Sequence, residues 1–258
     1  MDITGLQALL AGVAGGMVGF VLALVGGGGS ILAVPLLVHV VGMRQPHLAI
    51  GTSAVAVALN AATGLIGHAR AGNVRWPCAS VFAAAGIAGA AAGAAIGKRI
   101  DGQVLLAAFA VLMLVVAVLM LRRKESVTAP AVRLSRGNAP ALAGIGGATG
   151  LASGFFGIGG GFLVMPGLVA ATGMSTLQAI GSSLVAVTAF GATTALSYAL
   201  SGLVDWTVAA LFVAGGIAGS FGGTAAARRL GGRPAVLTRL FAVMLAGIAV
   251  AMLVRGMG

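Results

Sequence analysis

Acidic side chains are almost missing from this chain: Asp2, Asp101, Glu125 and Asp205 are the only four among 258 residues. Each falls at a terminus or in a polar break between apolar runs. A carboxylate proton relay or a carboxylate-bound cation site within a membrane needs Asp or Glu at depth. Their absence argues against a metal-ion pump and is compatible with an anionic substrate. Charge of either sign is scarce: 7% of residues are charged and 59% hydrophobic, whereas soluble domains carry about 25% charged residues. A soluble globular reading is untenable. The single cysteine, Cys78, rules out an intrachain disulfide or a Cys-rich metal site, and it is expected to pack as a small apolar residue. No Ser–His–Asp set, HExxH, P-loop or CxxC is present, so neither an enzyme nor a bound cofactor or metal is indicated.

What the chain has instead is apolar length. Runs long enough to cross a bilayer, about 17–25 residues, fall at roughly 6–25, 48–68, 76–97 and 104–121, then at 140–156, 177–199, 206–227 and 236–255. The start, Met1 to Gln7, lacks the basic stretch of a secretory signal, so the first run is expected to be retained in the membrane. Two shorter runs, 31–43 and 162–173, each follow a glycine cluster. As α-helices they reach only about 18–20 Å, short of a hydrocarbon core of about 30 Å, and they read as half-helices or re-entrant segments. The net charge of +11 sits in short loops, where topology and anionic lipid explain it better than nucleic acid does.

The chain is duplicated. Gly26–Pro35 (GGGGSILAVP) returns as Gly157–Pro166 (GIGGGFLVMP), and Ala49–Ser53 (AIGTS) as Ala179–Ser183 (AIGSS). Gly72 and Trp76 match Gly202 and Trp206, Gly86–Gly89 matches Gly216–Gly219, and Phe109–Val111 matches Phe241–Val243, at offsets of 130 to 132 residues. A first transmembrane repeat therefore spans 1–121, a basic linker expected to be cytoplasmic spans 122–139, and a second repeat spans 140–258. If each short segment crosses, the repeats are inverted. With the linker inside, 11 basic residues then lie inside and 4 (Arg44, Lys98, Arg99 and Arg255) outside; parallel repeats with re-entrant segments give 8 inside and 7 outside. The positive-inside rule favours inversion. The expected fold is an all-α polytopic membrane protein of two inverted repeats, each with about four long helices plus one short broken or re-entrant helix.

A glycine cluster inside lipid-soluble sequence frees backbone groups that hydrocarbon cannot satisfy. A short helix beginning there presents unpaired N–H groups and a positive dipole end to a small anion, and glycine permits close approach. Gly27, Gly28, Gly29 and Ser30 in the first copy, and Gly159, Gly160 and Gly161 in the second, are therefore candidate substrate-binding residues. The plainer reading is a glycine bend capped by neighbouring chain. Thr52, Ser53, Ser182 and Ser183 offer hydroxyls that could converge near the midplane, or could instead bond back to their own helices. His39 and Asn60 are polar where the second repeat has Ala170 and Phe190, which makes them candidates for selectivity or proton handling; an interhelical hydrogen bond is the plainer role for Asn60. His68, matched by Tyr198, reads as interfacial, and Trp76 and Trp206 as interfacial anchors.

The doubled glycine–proline pattern, the doubled AIG[TS]S and the G-x-V-x-W endings at 72–76 and 202–206 resemble the sulfite exporter TauE/SafE family, also described as 4-toluene sulfonate uptake permeases. The resemblance covers essentially the whole chain; Ser30 departs from the pattern where the second copy has Gly161. It implies a multi-pass secondary transporter of the bacterial inner membrane that exports small sulfur-containing anions such as sulfite or organosulfonates. Its partners would be that anion and the lipid bilayer, with no nucleic acid and with homo-oligomerisation left open. An anion channel is the alternative, and a membrane-embedded enzyme a more remote one.

Overall fold

The computed structural model describes residues 5–122, 137–159 and 161–230, together with 243, 246–252 and 254 near the C-terminus. Every regular element among them is helical: α1 Gly5–Val25, a 3-10 segment Gly26–Leu32, α2 Ala33–His39, α3 Pro46–Arg70, α4 Trp76–Gly97, α5 Gly102–Arg122, α6 Ala139–Phe156, α7 Gly161–Thr172, α8 Thr176–Ala199 and α9 Trp206–Leu230. Seven of these, α1, α3, α4, α5, α6, α8 and α9, are long and apolar enough to cross a membrane. The expected eighth run, 236–255, lies largely outside the described residues, although 246–252 is helical. The ends are set locally. Pro46, Pro77 and Pro140 occupy first turns, where a missing N–H costs nothing. The Asp101 carboxylate accepts from the N–H of Gln103 at 2.9 Å and of Val104 at 3.2 Å, capping α5. Asp205 caps α9 in the same way through Thr207 and Val208. Two of the four carboxylates are thus consumed at helix starts.

Contacts at the helix ends give the direction of each element. Gln7, at the start of α1, donates through Nε2 to the Val41 carbonyl just beyond α2, at 3.4 Å. The first short segment therefore returns to the face from which α1 departs. Its 3-10 winding makes this reach feasible: seven residues at about 2.0 Å and seven at about 1.5 Å extend about 25 Å. The sequence expectation of about 18–20 Å assumed α-helix throughout and a later start. His47 Nε2 lies 3.1 Å from the Ile100 carbonyl, bringing the start of α3 and the end of α4 to that same face. The His68 ring bonds to the backbone at Ala23, so α1 and α3 both end on the other face.

The most extensive helix pairs are α4 with α6 and α1 with α9, and both are built on glycine. Gly86 lies against Gly150, Gly89 against Gly147 and Gly93 against Leu151, so α4 and α6 run in the same direction. Gly12 lies against Gly215, Gly16 against Gly219 and Phe20 beside Gly223, which makes α1 and α9 parallel as well. Each pair joins the first helix of one half to the fourth of the other. Lipid supplies no hydrophobic drive for helix association, so backbone contact over small residues has to supply the attraction. Between these flanking pairs, α3 and α8 cross at the centre, with Ala58 on Gly191 and Leu184 on Gly64.

Two alanine substitutions on α6 test this packing. A Cβ at Gly150 would strike the Gly86 backbone, whereas one at Gly144 meets nothing within 4 Å. Gly150→Ala is expected to destabilise by about 1–3 kcal/mol, and Gly144→Ala to be neutral or stabilising by up to about 1 kcal/mol. Thermal unfolding of the purified variants in detergent measures both, and equal effects would contradict the packing.

Candidate functional site

The two glycine clusters are built differently. In the second, α6 ends at Phe156 and Gly157 turns left-handed at φ 68°, with its N–H returned to the Ser153 carbonyl. Gly159 follows at φ 66°, and α7 starts at Gly161. The left-handed region admits glycine readily and other residues at a cost. Space is short there too: a Cβ on Gly157 would strike Ile50, and one on Gly159 would come within 2.8 Å of Val57 and 3.3 Å of Val187. Gly160 lies outside the described residues. In the first copy Gly27, Gly28, Gly29 and Ser30 are themselves helical, wound as 3-10. Gly29 lies on the Val21–Leu22 backbone, and Ser30 is fully buried. Sequence reading expected a helix N-terminus directly after each cluster. That holds for the second, but α2 begins only at Ala33, because i→i+3 winding already engages the N–H groups ahead of it.

These two breaks are brought together. The 3-10 segment touches α1, α7 and α8. Gly159 sits between Val57 and Val187, each near the middle of its long helix. Ser53 reaches across: its Oγ lies 2.8 Å from the Ile50 carbonyl of its own helix and 3.2 Å from the Gly157 carbonyl of the other half. Ser183 donates to the Ile180 carbonyl at 2.8 Å, the back-bonded geometry expected of a membrane helix. The start of α7 therefore lies near mid-depth against α8 and the 3-10 segment, with α3 packed on the break just before it. A helix N-terminus brings N–H groups and the positive end of its dipole there, beside the Ser53 hydroxyl and the Gly157 carbonyl. Among the described residues no group of three or more His, Cys, Asp or Glu could hold a metal.

Other candidates lie elsewhere. Thr52 and Ser182 are buried, but their hydroxyls do not meet at the centre. Thr52 Oγ1 accepts from the Asp205 N–H at 3.0 Å, and Ser182 Oγ accepts from the Arg75 N–H at 2.9 Å. Each hydroxyl holds the loop entering a helix of the other half, and the two loops lie on opposite faces. The expected convergence of four hydroxyls thus gives way to one central serine per half and a reciprocal pair of loop clasps. The matching residues Arg75 and Asp205 contribute backbone N–H groups whatever their side chains, so the clasp survives their difference in charge. His39 lies exposed in the last turn of α2, lining a groove with Pro35, Leu36, Val40, Ile248 and Ala251. Asn60 is 1% exposed, and neither amide atom has a hydrogen-bond partner. It packs on Gly216 of α9 without the interhelical bond its sequence position led us to expect.

A further cluster lies on the face where α3 begins and α8 ends. The His47 and Tyr198 rings lie 6.5 Å apart. Lys98 Nζ stands 5.8 Å from the Tyr198 ring centre and donates to the Ser197 carbonyl and to Ser201 Oγ, both at 2.9 Å. His47 and Lys98 belong to one half, Tyr198 and the serines to the other. Only the pairing of α3 with α8 unites them, and no local motif announces it.

The family described as sulfite exporter TauE/SafE matches residues 11–252 of the chain. A "Probable membrane transporter protein" of Xylella fastidiosa (strain Temecula1) is 49% identical over 249 residues, covering 95% of each chain. "Probable membrane transporter protein YdhB" of Bacillus subtilis is 26% identical across 80% of this chain and 85% of its own. A "Probable membrane transporter protein" of Haemophilus influenzae is 31% identical across 75% of this chain and 74% of its own. No solved structure matches. With seven helices able to cross a membrane and a match over nearly its full length, the chain belongs to the TauE/SafE family of membrane transporters.

Proposed function

We propose that this protein is a secondary transporter, acting as an exporter, of small sulfur-containing anions such as sulfite or organosulfonates in the bacterial inner membrane. It works by alternating access of two inverted repeats around the paired glycine breaks, and it is not an enzyme. The observation that carries the reading is the meeting of the two breaks at mid-depth between α3 and α8, with the α7 N-terminus opening into the contact. Substrate sites at the interface of repeats, formed by interrupted helices, are the arrangement that rocking carriers use. The absence of carboxylates from the spans among the described residues leaves that site to an anion. The family description names sulfite, and the choice of cargo rests on it. The repeats divide at the 122–139 linker, and the parallel pairs α1–α9 and α4–α6 support their opposite sense.

Two measurements test this. Alkaline phosphatase, which folds only outside the cytoplasm, is expected to be active when fused after Ser201 and inactive when fused after Gly173. The reverse pattern is what parallel repeats with re-entrant segments require, and it would overturn inversion. Ser53→Ala removes the hydroxyl that links α3 to the Gly157 carbonyl. A hydrogen bond of this kind contributes about 1 kcal/mol net, so labelled sulfite exchange in proteoliposomes is expected to fall about fivefold to tenfold with the protein still monodisperse. Wild-type-like exchange in Ser53→Ala, and also after bulky replacement of Gly29 and Gly159, would remove the breaks from the substrate path. Saturable exchange and counterflow support a carrier; unitary currents in planar bilayers would support a channel instead.

A further inference from the structure

Ser153 stands apart among the hydroxyls around the two breaks. Ser53, Thr149, Ser183 and Thr188 each turn the hydroxyl back onto a carbonyl of their own helix, at 2.7 to 2.8 Å. Back-bonding of this kind satisfies a hydroxyl inside a membrane helix. Ser153, on α6 one turn before the second break, is fully buried, and its Oγ has no partner. A hydroxyl left in that condition is destabilising.

Packing places that hydroxyl level with the start of α7. A Cβ on Gly167 would come within 2.8 Å of the Ile145 side chain, so α7 runs back along α6. From this contact α7 extends to its first residue, Gly161, and α6 to Ser153. At 1.5 Å per residue these stretches are about 9 Å and about 12 Å, so Ser153 lies within about 3 Å of the level of the first turn of α7. Gly146, about two turns from Ser153 and hence on the same side of α6, meets Phe190 of α8 over Gly86. The hydroxyl therefore sits on the side of α6 that α8 covers. Two carbonyls of the break are already engaged: that of Ser153 accepts from the N–H groups of Gly157 and Ile158, and that of Gly157 from Ser53. Donors stand beside them. They are the Ser153 O–H and the first N–H groups of α7, which have no intrahelical acceptors and mark the positive end of its dipole.

The first half builds none of this. Leu22 stands where Ser153 does, at the offset that relates Gly26 to Gly157, and its backbone packs on Gly29. The 3-10 winding already engages the N–H groups ahead of α2, and α2 itself is only seven residues long. We infer that the α7 N-terminus and the Ser153 hydroxyl form a single oxyanion seat, present in the second half alone. This deepens the carrier reading above and rests on it. An SO₃ group fits the two sets of donors through separate oxygens, one toward the α7 N–H groups and one accepting from Ser153 Oγ. One seat holds one anion per cycle, although the chain is built of two repeats.

Thermal unfolding of the purified protein in detergent reads the seat, because a ligand bound to the folded state raises the unfolding temperature. Sodium sulfite and 4-toluenesulfonate are titrated with ionic strength held constant by sodium chloride. Removing a hydroxyl that has no partner relieves a cost, so Ser153→Ala without ligand is expected to unfold at the wild-type temperature or above it. Its affinity for the oxyanion is expected to fall about tenfold, the worth of one hydrogen bond to a charged group. Thr149→Val loses a hydroxyl that is spent on its own helix and is expected to keep affinity within about twofold. Wild-type affinity in Ser153→Ala overturns the seat and leaves the carrier reading standing. Lower stability of unliganded Ser153→Ala, or an equal loss of affinity in Thr149→Val, also overturns it, since either marks a structural role. Binding that depends on Ser153 without labelled anion exchange in proteoliposomes keeps the seat and overturns the carrier. If neither sulfur anion binds the wild type, sulfate, phosphate and acetate are titrated in the same way. Ser153-dependent binding of one of these keeps the seat and overturns the sulfur cargo, and binding of none overturns both.

Discussion

A backbone that leaves its helix inside hydrocarbon must find partners for its N–H and C=O groups within the protein, and the rest of this structure follows from that requirement. Neither glycine break can face lipid, so each must be enclosed by other helices. The second break returns an N–H to Ser153, receives a hydroxyl from Ser53 of the other half, and lies between valines of α3 and α8. The first uses a different route, winding as 3-10 so that its own turns absorb the freed groups while it packs on α1, α7 and α8. Enclosure draws both breaks to one place. The meeting of the two breaks between the halves is thus a consequence of keeping broken backbone away from lipid.

Enclosure in turn requires that the flanking helices hold tightly without a hydrophobic drive. Glycine on both partners in α1–α9 and α4–α6 lets the backbones touch. Each of these pairs crosses the boundary between halves, so neither half buries its first helix by itself. Besides these pairs, hydrogen bonds near both faces span the halves. Thr52 with Asp205, and Lys98 with Ser197 and Ser201, lie on one face; Ser182 with Arg75 lies on the other.

Much of this was legible in the chain itself. Duplication, the long spans and the short segments could be read because glycine, proline and the AIG[TS]S stretches recur at a constant offset and lipid-soluble length is unmistakable. That the clusters interrupt long α-helix followed from the cost of glycine in a helix. What stayed hidden depended on which helix meets which. Thr52 and Ser182 look like ligand hydroxyls in sequence, and only the crossing of α3 and α8 turns them toward loops of the opposite half. His47 follows a helix-starting proline and Tyr198 closes an apolar helix, so neither signals a cluster until the halves are joined. The winding of Gly26–Leu32 was hidden for a different reason: four glycines favour no single local geometry.

The sharpest departure from symmetry is at Asn60. In the second half Phe190 occupies the equivalent position; its ring covers Gly86 and stacks with Phe82 at 6.3 Å. In the first half the Asn60 amide covers Gly216, the residue equivalent to Gly86, and both of its polar atoms lack partners. The same glycine shelf therefore accepts an aromatic ring, and packing alone does not demand an amide. An unsatisfied buried polar group costs about 1–3 kcal/mol, a burden that a phenyl ring would avoid. That cost falls near the middle of a central helix, against a helix of the other half. Any arrangement of α9 against α3 that gave the amide a partner would recover that cost.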